Sequence, residues 1–209
     1  AIRIQISPED PVSKNVSHFV IFIEMDDKRF FLRRFITDNS KARIIVFVRT
    51  RVRAERVSKA LERGDIKSAT IHGEKDQKDR TDVMDRFKSG EMNILIATDV
   101  SARGIDIADV NYVINYDLPE KSENYVHRVG RTGRGIKKGI AISFCSPEEK
   151  ERLDAIQGFL NKKIEMIPIS KKEHKDTIAL TNETDNIQDL IMEQEEWEKK
   201  KRTKRKKKK

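Results

Sequence analysis

Short apolar, β-branched runs recur along this chain, separated by segments of about a dozen residues in which apolar side chains return every three or four positions. The runs fall at 16–25, 42–48, 67–72, 93–97, 112–116 and 139–145, and each is short enough for one strand. Between them, 28–38 places Phe31, Leu32, Phe35 and Ile36 at helical spacing. Segment 52–63 does the same with Val57, Ala60 and Leu61 before Gly64 as its stop. In 77–88 the inward residues are Val83, Met84 and Phe87, with Ser89 and Gly90 ending the helix. A last helix, 147–160, enters at Ser146 as N-cap with Pro147 in its first turn. Strand and helix in alternation predict an α/β fold, an open and mostly parallel sheet with helices on both faces. Periodicity leaves the strand order open.

These signals stop near 169, so 16–169 is expected to be one domain. Before it, Ile2, Ile4 and Ile6 alternate and then meet Pro8 and Pro11, which predicts an extended lead-in over 1–15. After it, 170–198 is a polar extension; 185–200 could form a weakly docked helix with Ile187, Leu190, Ile191 and Trp197 on one side. Ten of the 44 Lys and Arg crowd into 199–209 without an acid, a tail expected to be disordered by self-repulsion and to grip polyanions. That leaves 34 basic against 35 acidic residues, so the net +9 is a property of the tail, and any nucleic-acid contact elsewhere must be local.

Cys145 is the only cysteine, which excludes an internal disulfide and suits a reducing compartment; within an apolar run it reads as a core residue. His18, His72, His127 and His174 are scattered, without metal-ligand spacing, and no metal site is expected. No apolar run reaches the roughly 18 residues of a membrane span. The chain starts at Ala1 with no signal-like leader, giving the expectation of a piece of a longer, cytoplasmic protein, and nothing like a sustained heptad argues against a monomer.

The chemistry is concentrated in two stretches. HRVGRTGR at 127–134 puts three arginines and two glycines in eight residues. On a helix beginning near Ser122, Arg128, Arg131 and Arg134 would project from neighbouring positions on one side. Crowded cations repel unless an anion lies among them, and guanidinium forks match phosphate oxygens in pairs. The alternative is a solvated Arg-rich loop. ATDVSARGIDI at 97–107 follows the strand at 93–97 into a polar, Gly-containing loop, the place where ligands bind in open parallel sheets.

Together ATDVSARGID and HRVGRTGR resemble motifs V and VI of the DEAD-box RNA helicases. IIVFVRT at 44–50 is similar to motif IV and HGEKDQKDR at 72–80 to the segment called IVa, in the right order, and the resemblance covers about 16–169. His127 and the Ser-Ala-Arg-Gly-Ile-Asp core favour this branch over the DEAH type. The resemblance implies a RecA-like lobe, the C-terminal one of two, with 1–15 the end of an interdomain linker. It implies that Arg131 and Arg134 reach the γ-phosphate of ATP as arginine fingers, and that Asp106 contacts the nucleotide's ribose, although a helix-capping role fits Asp106 as well. It implies that His127, Arg128 and Arg103 couple the lobes; a surface salt bridge is the plainer reading of Arg103, and nothing near His127 would orient it as a general base. RNA contacts are implied at Arg49, Thr50, Gly73, Gln77, Arg80, Thr98 and Gly104, by groups that read sugar and phosphate. In plainer terms Gly73 is a turn before a helix and Arg80 an exposed helix residue.

No GxxxxGK[ST] phosphate loop and no Asp-Glu-Ala-Asp motif occur, so the chain carries half an active site. The expectation is an enzyme fragment that partners RNA and the N-terminal RecA-like lobe of the same protein. ATP and Mg²⁺ would be bound only when both lobes are present, and the chain alone should be inactive. The rival is a non-catalytic module that tethers or anneals RNA through its tail.

Overall fold

In β2 (Ile44–Phe47), β4 (Ile94–Ala97) and, but for its first residue, β5 (Tyr112–Asn115), every side chain is buried. Strands apolar on both faces belong at the centre of a covered sheet, and that is where the computed structural model places them. It describes residues 12, 14–102, 107, 110–133 and 138–180. The rest of the expected lead-in, the tail at 199–209, the helix at 185–200, and Arg103, Gly104, Asp106 and Arg134 lie outside the described residues.

Seven strands form one sheet in the order β3-β4-β2-β5-β6-β1-β7, with β1 (Val16–Phe22), β3 (Ala69–Ile71), β6 (Gly139–Cys145) and β7 (Glu165–Met166) completing it. Every pairing is parallel. The register sets Ile44 to Phe47 against Ile94 to Ala97 on one side and Tyr112 to Asn115 on the other.

Alternation along β2 divides the core. Ile45 and Phe47 face a cluster with Val83, Met84 and Phe87 of α3 (Gln77–Ser89), Tyr125 and Val129 of α5 (Ser122–Val129), and Leu153, Ile156 and Leu160 of α6 (Lys150–Leu160). Ile44 and Val46 face Leu32 and Ile36 of α1 (Lys28–Asp38) and Ala54, Val57 and Leu61 of α2 (Arg51–Glu62); the short α4 (Asp99–Ala102) follows β4. Each fully buried Leu or Ile contributes about 1.5–3 kcal/mol. The expected α/β architecture is the observed one, with the sheet all parallel.

Local differences have physical reasons. Gly64 is not a left-handed helix stop: α2 ends with Arg63 as a right-handed cap, and Asp65 takes the positive φ of 54°. The Arg33 guanidinium occupies the space where a Cβ on Gly64 would stand, 2.4 Å from Nε. The helix expected from 147 opens with a 3-10 turn, Pro147–Glu149, because Glu149 folds back to accept from the Ser146 amide at 3.2 Å. Glu149 and Lys28 form a fully buried ion pair; the ammonium also donates to the Tyr116 and Phe144 carbonyls at 2.8 and 3.0 Å. Burial pulls the Lys28 ammonium below the usual lysine range against the pull of Glu149. Residues 171–180, read from sequence as polar extension, are helical, docked through Thr177, whose hydroxyl accepts from Arg34 at 2.5 Å, and through His174, 3.1 Å from Asp27. Among the described residues no helix is long and apolar enough to cross a membrane.

Candidate functional site

Because all strands are parallel, the residues that follow them gather on one edge. Arg49 and Thr50 follow β2, His72 and Gly73 follow β3, Thr98 and Asp99 follow β4, and Tyr116 and Asp117 follow β5. An open groove of about 430 Å³ runs along this edge. Arg49, Arg51, His72, Gly73, Glu74, Thr98, Asp99 and Val100 line it, with Glu120, Lys121 and Asn124 from the start of α5. Three of the expected RNA contacts, Arg49, Gly73 and Thr98, therefore share one groove. Thr50, between two lining residues, caps α2 by accepting from the Arg53 amide at 3.2 Å. Gln77 and Arg80 stand on the first turn of α3 and do not line the groove; Gly104 lies outside the described residues.

The groove is held from behind. Asp117 is fully buried; one oxygen accepts from the Arg49 amide at 3.0 Å and the other lies 3.2 Å from Arg53 Nε. Glu55 accepts from the Thr70 hydroxyl at 2.7 Å and lies 3.1 Å from His72 Nε2. Burial alone would raise the Glu55 carboxyl, but these hydrogen bonds more than offset it and hold it below the ordinary glutamate range. Arg51 pairs with Glu74 on the opposite wall. Gly73 is exposed, its φ is not in the left-handed region, and an added Cβ would meet only Val100 at 3.7 Å. The fold itself does not require glycine there.

HRVGRTGR divides into residues that build the lobe and residues that leave it. Arg128 is 1% exposed: Nε and Nη2 donate to the two oxygens of Asp99 at 2.6 and 2.9 Å, and Nη1 to the Asp117 carbonyl at 2.7 Å and Asn115 Oδ1 at 3.3 Å. Its guanidinium also stacks 5.1 Å over the Phe47 ring. The Thr132 hydroxyl donates to the Val110 carbonyl at 2.6 Å, and Gly133, at φ 65°, sits so close to Val16 that a Cβ would lie 2.4 Å from its methyl. His127 is exposed and Arg131 half-exposed, with Arg131 Nε on the His127 carbonyl at 3.1 Å. Arg128 and Arg131 thus do not project from one side as their spacing suggested. The helix ends at Val129 with Gly130 as cap, and Asp99 draws Arg128 inward. Arg134 lies outside the described residues, as do Arg103 and Asp106.

Sequence reading missed Asp99 and Asp117. Each is a lone acid just beyond an apolar run, a position that looks like solvated loop until the sheet is assembled. Among the described residues no group of three or more His, Cys, Asp or Glu side chains could hold a metal ion.

The model of the helicase conserved C-terminal domain matches residues 27–135. An ATP-dependent RNA helicase RhlB from Shewanella amazonensis is 37% identical over 163 residues, which are 78% of this chain and 37% of that protein. The chain spans about two-fifths of the length of such curated relatives. Among solved structures, the E. coli DEAD-box protein SrmB bound to regulator of ribonuclease activity A superposes with a TM-score of 0.70 at 33% identity, covering 75% of this chain and 92% of that one. S. cerevisiae Dbp5 bound to RNA and ADP BeF3 gives 0.71 at 29% identity, over 83% of this chain and 46% of that one.

Proposed function

The chain belongs to the helicase conserved C-terminal domain family, in its DEAD-box RNA helicase branch, and from that premise we propose that it serves as the C-terminal lobe of an ATP-driven RNA-unwinding enzyme. The groove at the strand ends takes the sugar-phosphate backbone of one RNA strand. Arg49 supplies charge, the Thr50 and Thr98 neighbourhood supplies hydroxyls and amides, and Gly73 leaves room for a phosphate to come close. The observation that carries this reading is Gly73, a glycine lining that groove that the protein's own packing leaves unexplained. Gln77, Arg80 and Gly104 extend the contact.

ATP binds between this lobe and the N-terminal lobe of the same protein. Arg131 and Arg134 neutralise charge on the terminal phosphate, Asp106 meets the ribose, and His127 and Arg103 couple the lobes, while Arg128, buried against Asp99, contributes by holding α5 in place and not by reaching the other lobe. Phosphoryl transfer asks mainly for positioning and charge, which a guanidinium provides without proton chemistry. That Arg131 is half-exposed just beyond the Gly130 cap of α5 supports this reading. In this reading Mg²⁺ is held by the partner lobe.

The test is RNA-stimulated ATP hydrolysis with the N-terminal lobe joined to this chain. Turnover should need both lobes and fall about 10³-fold or more in Arg131→Ala. Unchanged turnover would sink the finger assignment, and a folded two-lobe protein without turnover would favour RNA tethering by the tail.

A further inference from the structure

A second groove, of about 530 Å³, lies on the other side of α2, between that helix and the start of α1. Arg29, Arg53, Arg56, Lys59 and Arg63 line it, against one carboxylate, Asp26. Several basic side chains elsewhere on the lobe have acids beside them, among them Arg34 with Asp38, Arg51 with Glu74, and Arg86 with Asp82 and Glu91. In this groove only Arg53 does, through Asp117. Arg29, Arg56, Lys59 and Arg63 have no carboxylate within ion-pair distance among the described residues. Arg56 and Lys59 on α2 and Arg63 at its cap follow at three- and four-residue spacing, where like charges repel.

The groove adjoins the first one. Asp117 holds the Arg49 amide on one side and the Arg53 guanidinium on the other, and α2 begins at Arg51, which lines the first groove. From Arg53 to Arg63 the helix advances about 15 Å, the span of roughly four stacked nucleotides. The floor offers little apolar surface to a peptide: Tyr116 and Val57 are each 5% exposed, and only Met25 and Ala60 are half-buried. An unpaired cation row continuous with a backbone-reading groove is what a phosphate chain requires.

We propose that the α1–α2 groove is a second RNA track, in which Arg56, Lys59, Arg63 and Arg29 hold the phosphates of a strand that has left the first groove. The proposal rests on the RNA reading of that groove and extends its length and direction. It predicts a binding site longer than the strand-end groove alone, read without regard to base.

The full chain is photo-crosslinked to 4-thiouridine-containing oligouridylates of about 6 and about 14 nucleotides, and the crosslinked peptides are mapped. The short probe should mark peptides of the first groove, and the long one should also mark the peptide spanning Arg53 to Arg63. The triple variant Arg56→Gln, Lys59→Gln, Arg63→Gln should lose only that second crosslink. It should also make the salt dependence of long-probe binding shallower by about 2 in log–log slope. All three side chains point into an open groove, so circular dichroism should be unchanged. Long-probe crosslinks confined to the first groove or the tail would overturn the track while leaving the first groove intact. No crosslink in the first groove at either length would instead remove the reading on which the track rests. Displacement by polyglutamate at lower concentration than by the long probe would assign the cations to an acidic protein and overturn the proposal.

Discussion

Arg128 grips both carboxylate oxygens of Asp99, at 2.6 and 2.9 Å, from 29 positions further along the chain. Asp99 lines the strand-end groove and Arg128 belongs to the helix that carries His127 and Arg131 outward. One ion pair thus ties the wall where RNA is proposed to lie to the element proposed to reach ATP. Asp99→Ala would strand a guanidinium that is 1% exposed, and removing one partner of a buried pair costs about 3–5 kcal/mol. Asp99 is itself 23% exposed, which puts the expected loss at the lower end, about 3 kcal/mol by urea unfolding. A loss below about 1 kcal/mol would show that water reaches Arg128.

Glycines of this lobe should separate by what they serve. Gly73→Ala should fold with near-parent stability and bind oligouridylate more weakly, because its Cβ has space in the protein but intrudes on the groove. Gly139→Ala would set a Cβ 2.1 Å from the Thr132 hydroxyl and 2.4 Å from the Gly133 amide, and should lower the melting temperature sharply or prevent folding. Equal melting temperatures for the two variants would contradict the distinction.

The buried pair of Lys28 and Glu149 should respond unequally to deletion. Lys28→Met leaves a carboxylate that still accepts from the Leu118 amide at 3.1 Å and from Ser146. Glu149→Leu leaves the ammonium without its counter-charge, held only by the Tyr116 and Phe144 carbonyls, and those amides without their acceptor, so it should be the more damaging substitution, by about 1 kcal/mol or more. Chemical denaturation of the two single variants decides the order.

Cys145 should report global unfolding. It is fully buried at the end of β6, and burial, then the nearby Glu149 carboxylate, push its thiol up to about 11. At neutral pH it should resist a disulfide reagent in the native lobe and react at the rate at which the lobe opens, slowing as stability rises. Rapid labelling of native protein would place the thiol in a locally opening segment.

What the sequence made legible follows from how strongly each element depends on its own residues. The apolar runs at 44–47 and 94–97 and the helical spacing of Phe31, Leu32 and Ile36 announce themselves, and α1 and β6 begin and end where expected. β7 does not: Glu165 and Met166 are both exposed, and only pairing with Phe19 and Val20 makes them a strand. Residues 171–180 carry little apolar content and are helical where Thr177 and His174 dock on α1. In the site, motif spacing brought Arg49, Gly73 and Thr98 to attention, and the fold does set them together. Nothing local could show that Arg128 turns inward, since its direction is decided by Asp99 and Asp117, which arrive from two other strands.

The place of β1 between β6 and β7 bears on how the lobe is made. Val16 finds its partner in Gly139, and Phe19 in Glu165, so the first strand of this lobe to be made has no neighbour until about 120 more residues follow. At about 5–20 residues per second, that strand waits roughly 6 to 25 seconds, while β2, β3, β4 and β5 can already pair among themselves and α1 can pack on β2 and α2. Assembly is therefore completed from the C-terminal side. A chain truncated before Gly139 would present a four-stranded sheet with an open edge at β5 and an unpaired β1, a shape disposed to capture strands from other chains.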